Sequence, residues 1–168
     1  MKSPILAYLG LLILCLTSSA LCAQQADGDM DVSWDEALAS ADLDKVIENS
    51  GPFTVFAPSD QALTSFMASR KEILEDPSRK SELRALLSYH IVAGEITAAG
   101  ILQRLCRGEG VARFTTVQGE ELLATLEGTD IVLMDCSGNR ARIVQADNHD
   151  QNLVFHRIDS VILPTSRP

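Results

Sequence analysis

Two apolar segments far apart in the chain constrain the fold most: Gly51-Pro-Phe-Thr-Val-Phe-Ala-Pro-Ser-Asp60 and Asn152-Leu-Val-Phe-His-Arg-Ile-Asp-Ser-Val-Ile-Leu-Pro164. Phe53 to Ala57 carries large residues on alternating sides, so a strand there needs cover on both faces. Pro58 ends it, and Ser59 or Asp60 caps a helix that turns Leu63, Phe66 and Met67 inward. In the second segment Val154, His156 and Ile158 share one face of a strand, which points inward. Arg157 and Asp159 share the other, where they pair or meet solvent.

Along the chain the apolar period changes once. Trp34 to Asn49 reads as one helix, with Ser33 as its cap and Gly51-Pro52 at its end. Asp76-Pro77 opens another helix, with Pro77 where a missing N–H does no harm. Leu83, Leu86, Leu87, His90 and Ile91 form its continuous stripe, and Gly94 marks the exit. Residues 95–105 read as a short helical crossover. From Phe114 the period is two, over Phe114–Val117, Leu122–Leu126, Ile131–Met134, Ala141–Ala146 and Leu153–Ile162. Turn signals at Gly119, Gly128, Ser137-Gly138 and Asn148 to Asp150 separate these strands. Helices first and strands afterwards, with one early strand, describe a single α+β domain.

Together with Leu86-Leu-Ser-Tyr-His-Ile-Val-Ala-Gly94, the two segments closely resemble, in order and spacing, the signature motifs and the central Tyr-His motif of the fasciclin domain family. The resemblance spans about Trp34 to Pro164. It implies a compact β-wedge or sandwich flanked by helices, with Thr54, Pro58, His90, His156 and Asp159 as structural motif residues. It also implies adhesion or surface recognition, because the Tyr-His region of some animal members is implicated in integrin-dependent adhesion. Tyr89, at the edge of the apolar stripe where partial exposure is open to it, is therefore the candidate contact residue, set against the structural reading of the Tyr-His pair as core. His90 and His156 lie on apolar faces, so both are expected to be buried with a hydrogen-bonded ring. Where the family usually has Gly after the Asn of the last motif, this chain has Leu153, which implies an altered turn before the strand.

The N-terminus reads as an export signal: Lys2, an apolar run from Ile5 to Leu16, and a small polar exit at Thr17 to Ala20. Cleavage after Ala20 or Ala23 fits. Leu21 is too bulky for lipidation at Cys22, and the apolar run is shorter than the ~20 residues that span a bilayer. Removing the first 23 of 168 residues leaves 145, followed by a polar leader at 24–33, the domain at 34–164 and a short tail at 165–168. The tail Thr165-Ser-Arg-Pro168 carries no apolar stretch for a glycolipid anchor. These features predict a secreted or periplasmic protein without a stable membrane anchor. The net charge of −9 becomes −10 without Lys2, which argues against nucleic acid or an anionic membrane as partner.

Motifs for catalysis are missing: there is no Gly-x-Ser-x-Gly, no His-Glu-x-x-His, no Cys-x-x-Cys and no phosphate-binding glycine loop. No enzyme, cofactor or metal site is therefore expected. Asp27-Gly-Asp-Met-Asp31 begins like a calcium loop but places Val32 and Leu38 where Gly and Glu are needed. Asp147-Asn-His-Asp150 reads as a polar turn. Cys106 and Cys136 remain after export, either as a bridge or as two separate buried thiols. The expected function is adhesion or contact with a cell-surface or matrix protein or glycan; the alternative is a soluble binding protein for a small ligand or glycan. A single adhesive copy gains avidity by oligomerising or by binding a multivalent matrix.

Overall fold

The computed structural model describes residues 33–70, 76–150 and 152–165. The export signal, most of the leader with its Asp27–Asp31 motif, and the last three residues lie outside them. Helices α1 (Trp34–Ser40) and α2 (Asp44–Asn49) lead into β1 (Phe53–Pro58) and α3 (Asp60–Ala68). A 3-10 turn (Pro77–Arg79) then opens α4 (Lys80–Tyr89), followed by β2 (Ile91–Ala93) and α5 (Ala98–Arg107). Five strands complete the chain: β3 (Val111–Thr115), β4 (Glu121–Glu127), β5 (Asp130–Met134), β6 (Arg140–Asp150) and β7 (Leu153–Ile158). The architecture is α+β, as the change of period predicts.

The helix starts follow the local sequence. Ser33 accepts from the Glu36 N–H while Glu36 reaches back to the Ser33 N–H, a reciprocal cap. Ser59 and Thr97 accept from the N–H groups of Ala62 and Gly100 in the same way. The single helix expected over Trp34 to Asn49 is two, because Asp42 takes a positive φ of 53° between them. Gly108 stops α5: a Cβ there would sit 2.1 Å from the Val111 carbonyl oxygen, so the turn into β3 has room for glycine alone.

The seven strands form one sheet in the order β2-β1-β7-β6-β5-β4-β3. β1 and β7 run parallel, with Thr54 opposite Val154 and Phe56 opposite His156, and the other pairs are antiparallel. The sheet curls until its ends nearly meet. Val92 bridges Thr116, and the Val117 N–H donates to the Ile91 carbonyl at 2.7 Å.

Strand β1 divides the interior. Val55 and Ala57 join a cluster with Trp34, Leu38, Leu63, Met67 and Leu87 beneath the first four helices. Phe56, on its other face, joins Tyr89, Ile101, Phe114, Leu122, Leu133 and Ile158 inside the curled sheet. Both faces of β1 are thus covered, as its sequence requires.

Three expectations are corrected. Ile91 belongs to β2 rather than to the α4 stripe: the helix ends at Tyr89, and His90 caps it with αR geometry. β6 runs on through Asp147 to Asp150, where a polar turn was expected, because two register shifts absorb extra residues and Asp147 takes φ 58°. β7 stops at Ile158, and the chain then continues outside any strand through Ile162. Leu153 pairs with Phe53 and Asp150 in ordinary strand register, with its side chain packed on the first cluster.

Phe56 is fully buried and stacks on His156, with ring centroids 5.4 Å apart. Phe56→Ala is expected to lower unfolding free energy by about 3–5 kcal/mol in urea titrations, while Val144→Ala on the exposed face of β6 stays within about 0.5 kcal/mol of wild type.

Candidate functional site

The motif residues converge on the parallel pair of β1 and β7, and each buried polar group there ties down a distant segment. Thr54 Oγ1 donates to the Gly94 carbonyl at 2.7 Å and accepts from the Ile96 N–H at 2.8 Å. His156 holds the same loop, with Nε2 2.8 Å from the Ile96 carbonyl. Its Nδ1 accepts from the Asp147 N–H at 3.3 Å, in the bulged part of β6. A carbonyl partner at Nε2 and an N–H partner at Nδ1 fix the ring as the neutral Nε2–H tautomer.

His90 does the same work with the opposite tautomer. Its Nδ1 donates to the Leu86 carbonyl at 2.9 Å, and its Nε2 accepts from the Ile162 N–H at 3.3 Å. The Trp34 ring packs edge-on against it at 5.4 Å. Burial is the main cause that pulls the His90 pKa down from 6.5 to about 4, against the opposing pull of the Leu86 carbonyl and Asp135. The His156 pKa is lowered too, again by burial, with its bond to the Ile96 carbonyl working the other way.

Asp135, a buried carboxylate absent from the candidate residues, completes the set. It accepts from the N–H groups of Ser137, Asn139 and Leu163 and from the Asn139 side chain. His90, Asp135 and Glu120 thereby hold the N–H groups of Ile162, Leu163 and Thr165 along the segment after β7. Asp135 stands in the loop before a Ser-Gly turn, a signal for local turn bonds that says nothing of the distant Leu163. Pro58 is buried at the end of β1, where it needs no N–H.

One candidate residue differs from expectation, and Arg157 and Asp159 take the solvent-facing outcome of the two expected for them. Tyr89 is fully buried instead of partly exposed, and its hydroxyl donates to the Glu121 carbonyl at 2.9 Å. Burial pushes its pKa up. The ring faces the interior of the curled sheet because the chain turns from α4 into β2 immediately after it. Exposed Cys136 and Glu121 lie over its hydroxyl: the Cys136 thiol contacts the same Glu121 carbonyl at 3.3 Å, and Glu121 pairs with Arg113 at 2.7 Å. Arg157 and Asp159 do not pair with each other. Arg157 meets Asp60 at 3.6 Å, and the Asp159 carboxylate accepts from the Arg142 N–H at 2.8 Å.

Cys106 and Cys136 are free and exposed, so neither the bridge nor the buried thiols hold. Cys106 lies in the last turn of α5, at the Val111 end of β3. Cys136 lies against Glu121, which pairs with Thr115 at the other end of that strand. A five-residue strand rising ~3.3 Å per residue separates them, beyond the roughly 7 Å that a disulfide allows between Cα atoms.

A cleft of about 500 Å³ lies beside the Pro58 end of β1. Trp34, Pro58 and Phe155 supply apolar walls, and Gln145, Asp150 and Arg157 bring polar groups to it. Among the described residues no group of three or more His, Cys, Asp or Glu is placed to hold a metal, and no helix is long and apolar enough to cross a membrane.

The histidines predict an acid-sensitive fold. With the folded pKa below the unfolded value, the unfolded chain takes up protons that the folded chain refuses between about pH 6.5 and 4. Stability is therefore full above about pH 6.5 and falls as the pH drops, with His90 alone accounting for on the order of 3 kcal/mol by pH 4. Urea titrations across this range check the slope, and His90→Leu is expected to be less stable at pH 7 by about 2 kcal/mol and to show a shallower fall. Thiol titration of the folded protein is expected to find both Cys106 and Cys136 reactive, with no loss of thermal stability on adding reductant.

Comparison with known proteins agrees with this geometry. The family model described as Fasciclin domain matches residues 33–164. Protein sll1483 of Synechocystis is 36% identical over 128 residues, which cover 76% of this chain and 64% of that protein. Immunogenic protein MPB70 of Mycobacterium bovis is 33% identical, over 69% of this chain and 52% of its own length. The chain thus spans about half to two thirds of these two curated relatives. Among solved structures, a FAS1 domain pair from the insect cell adhesion molecule Fasciclin I superposes with a TM-score of 0.58 at 28% identity, over 76% of this chain and 43% of that one. The family model covers nearly all of the described domain, 33–164: the chain belongs to the fasciclin domain family.

Proposed function

We propose that this chain is a non-enzymatic, extracytoplasmic contact module that binds a cell-surface or matrix partner through its outer surface. One observation carries the reading: the side chains that define the motifs are used up inside. Thr54, His90, His156 and Tyr89 are fully buried, and each is hydrogen-bonded to backbone of another segment. A histidine whose two ring nitrogens both hold backbone groups has neither a free lone pair for a metal nor a proton to pass to a substrate. Recognition then falls to exposed groups, and the likeness to a domain pair from an insect cell adhesion molecule supports adhesion. Over the Tyr-His segment those groups are Arg113, Glu121 and Cys136.

A second reading, a binding protein for a small ligand or glycan, is favoured by the cleft at Trp34, Gln145, Asp150 and Arg157. Apolar walls with a few convergent polar groups are what such ligands need. The export signal, if cleaved after Ala20 or Ala23, places either activity in the periplasm or outside the cell.

The test coats a surface with the domain and measures retention of cells or matrix components. Adhesion predicts dose-dependent binding that Glu121→Arg weakens several-fold at unchanged melting temperature, the lost Arg113 pair being a surface one. Absence of binding at every coating density overturns this reading. A small molecule retained by protein taken from its native compartment, and lost on Gln145→Ala with Asp150→Ala, establishes the second.

A further inference from the structure

A shallow groove of about 700 Å³ runs between the end of α5 and β3, lined by Arg104, Arg107, Arg113, Val111 and Glu109. In a chain of net charge −9, three guanidinium groups around one groove with a single carboxylate among its walls are a local reversal of sign. Arg104 is held in place by stacking on Phe114, 5.2 Å above the ring. Arg113 leans on Glu121. Arg107 is exposed at the last position of α5. Stabilising the helix C-terminus accounts for Arg104 and Arg107, and a cross-strand pair for Arg113. Neither explains why all three border one depression.

The same groove follows an open sheet edge. The Thr116 N–H bonds to the Glu120 carbonyl, on the β4 side, while the Val117 N–H turns away from β4 to Ile91. Antiparallel alternation then directs the backbone groups of Phe114 and Ala112 to β4 and those of Arg113 outward. Gly108 covers the next outward carbonyl, that of Val111. The Arg113 N–H and C=O are left on a strand edge flanked by positive side chains, which suits an extended segment carrying carboxylates on one side.

This chain contains such a segment. Asp27-Gly-Asp-Met-Asp31 has carboxylates at every second residue, and in an extended backbone all three project from one face. Its own groove is out of reach. Ser33 lines the cleft at the Pro58 end of β1. Through Thr54, Val92 and Thr116 the strands β1 and β3 are aligned, with Pro58 four residues beyond that level and Val111 five residues before it. Cleft and groove are therefore separated by roughly 30 Å along the strands. Two residues, from Asp31 to Ser33, span only about 7 Å.

We propose that residues 26–32 of one copy dock, extended, along the β3 edge of a second copy, with Asp27, Asp29 and Asp31 facing Arg104, Arg107 and Arg113. The contact is head-to-tail, so each added copy offers a fresh groove and a fresh leader, and the assembly grows beyond a dimer. It supplies the several adhesive copies that one domain lacks, and it stands whether or not the partner reading is right.

Sedimentation velocity of the chain from Gln24 onward tests this. The expected result is concentration-dependent association into dimers and larger species at low salt, receding as salt is added. In that same chain, Asp27→Asn/Asp29→Asn/Asp31→Asn and, separately, Arg107→Glu each weaken it about tenfold or more. Mixed together, the two variants form a species that stops at two, because one brings only a groove and the other only a leader. A wild type that stays monomeric at every concentration overturns the proposal, and so does association that survives in either variant. Cell binding by a monomeric wild type leaves adhesion standing and removes only this assembly.

Discussion

The parallel pairing of β1 with β7 sets the terms for everything else in the molecule. Parallel neighbours cannot be joined by a hairpin, so the chain between them, with helices α3 to α5, a 3-10 turn and five more strands among its described residues, has to be routed around and returned. Both faces of β1 end up covered, one by helices and one by the inside of the curled sheet. The buried groups of a central pair so enclosed are shielded from solvent, so each polar one must find a partner within the protein. Thr54, His90 and His156 meet that demand with backbone from residues 94–96, 147 and 162, joining segments remote in sequence.

Desolvation also decides which form of histidine the fold keeps. A charged ring in either position would be a second donor aimed at an N–H, of Ile162 for His90 and of Asp147 for His156. Neutral rings offer one donor and one acceptor, and the two histidines use them in opposite orientation. Thr54, His90 and His156 thus serve to assemble the sheet and its C-terminal extension. On the outside, charged pairs such as Arg113 with Glu121 and Arg157 with Asp60 remain partly solvated and replaceable at little cost in stability.

Much of the fold was legible because its signals are local. Caps at Ser33 and Ser59, the apolar faces of α3 and α4, and the alternation of β3 to β5 depend on neighbours a few residues away. The burial of His90 and His156 followed from their faces. What sequence periodicity could not supply were outcomes of distant packing. Ile91 continues a helical stripe, yet the chain leaves the helix at His90 to bring Val55 and Ile91 opposite each other. Tyr89 looks like an edge residue until the sheet curls over it and Glu121 presents a carbonyl. Asp147 resembles a turn residue, and its positive φ does occur, but inside a bulged strand whose register is fixed by His156 and β7. Asp135 carries no signal at all for its bond to Leu163.

The central claim is that the motif histidines are neutral structural hubs, so their ring states are the most direct thing to measure. Two-bond proton–nitrogen correlation spectra of nitrogen-labelled protein, recorded from pH 8 down towards 5, assign each tautomer and reveal any titration. The account predicts His90 as Nδ1–H and His156 as Nε2–H, neither titrating with the ordinary pKa of about 6.5. A His90 or His156 ring that exchanges tautomers, or that protonates near 6.5 with the fold intact, would contradict it and return those residues to the list of groups free to act on a ligand.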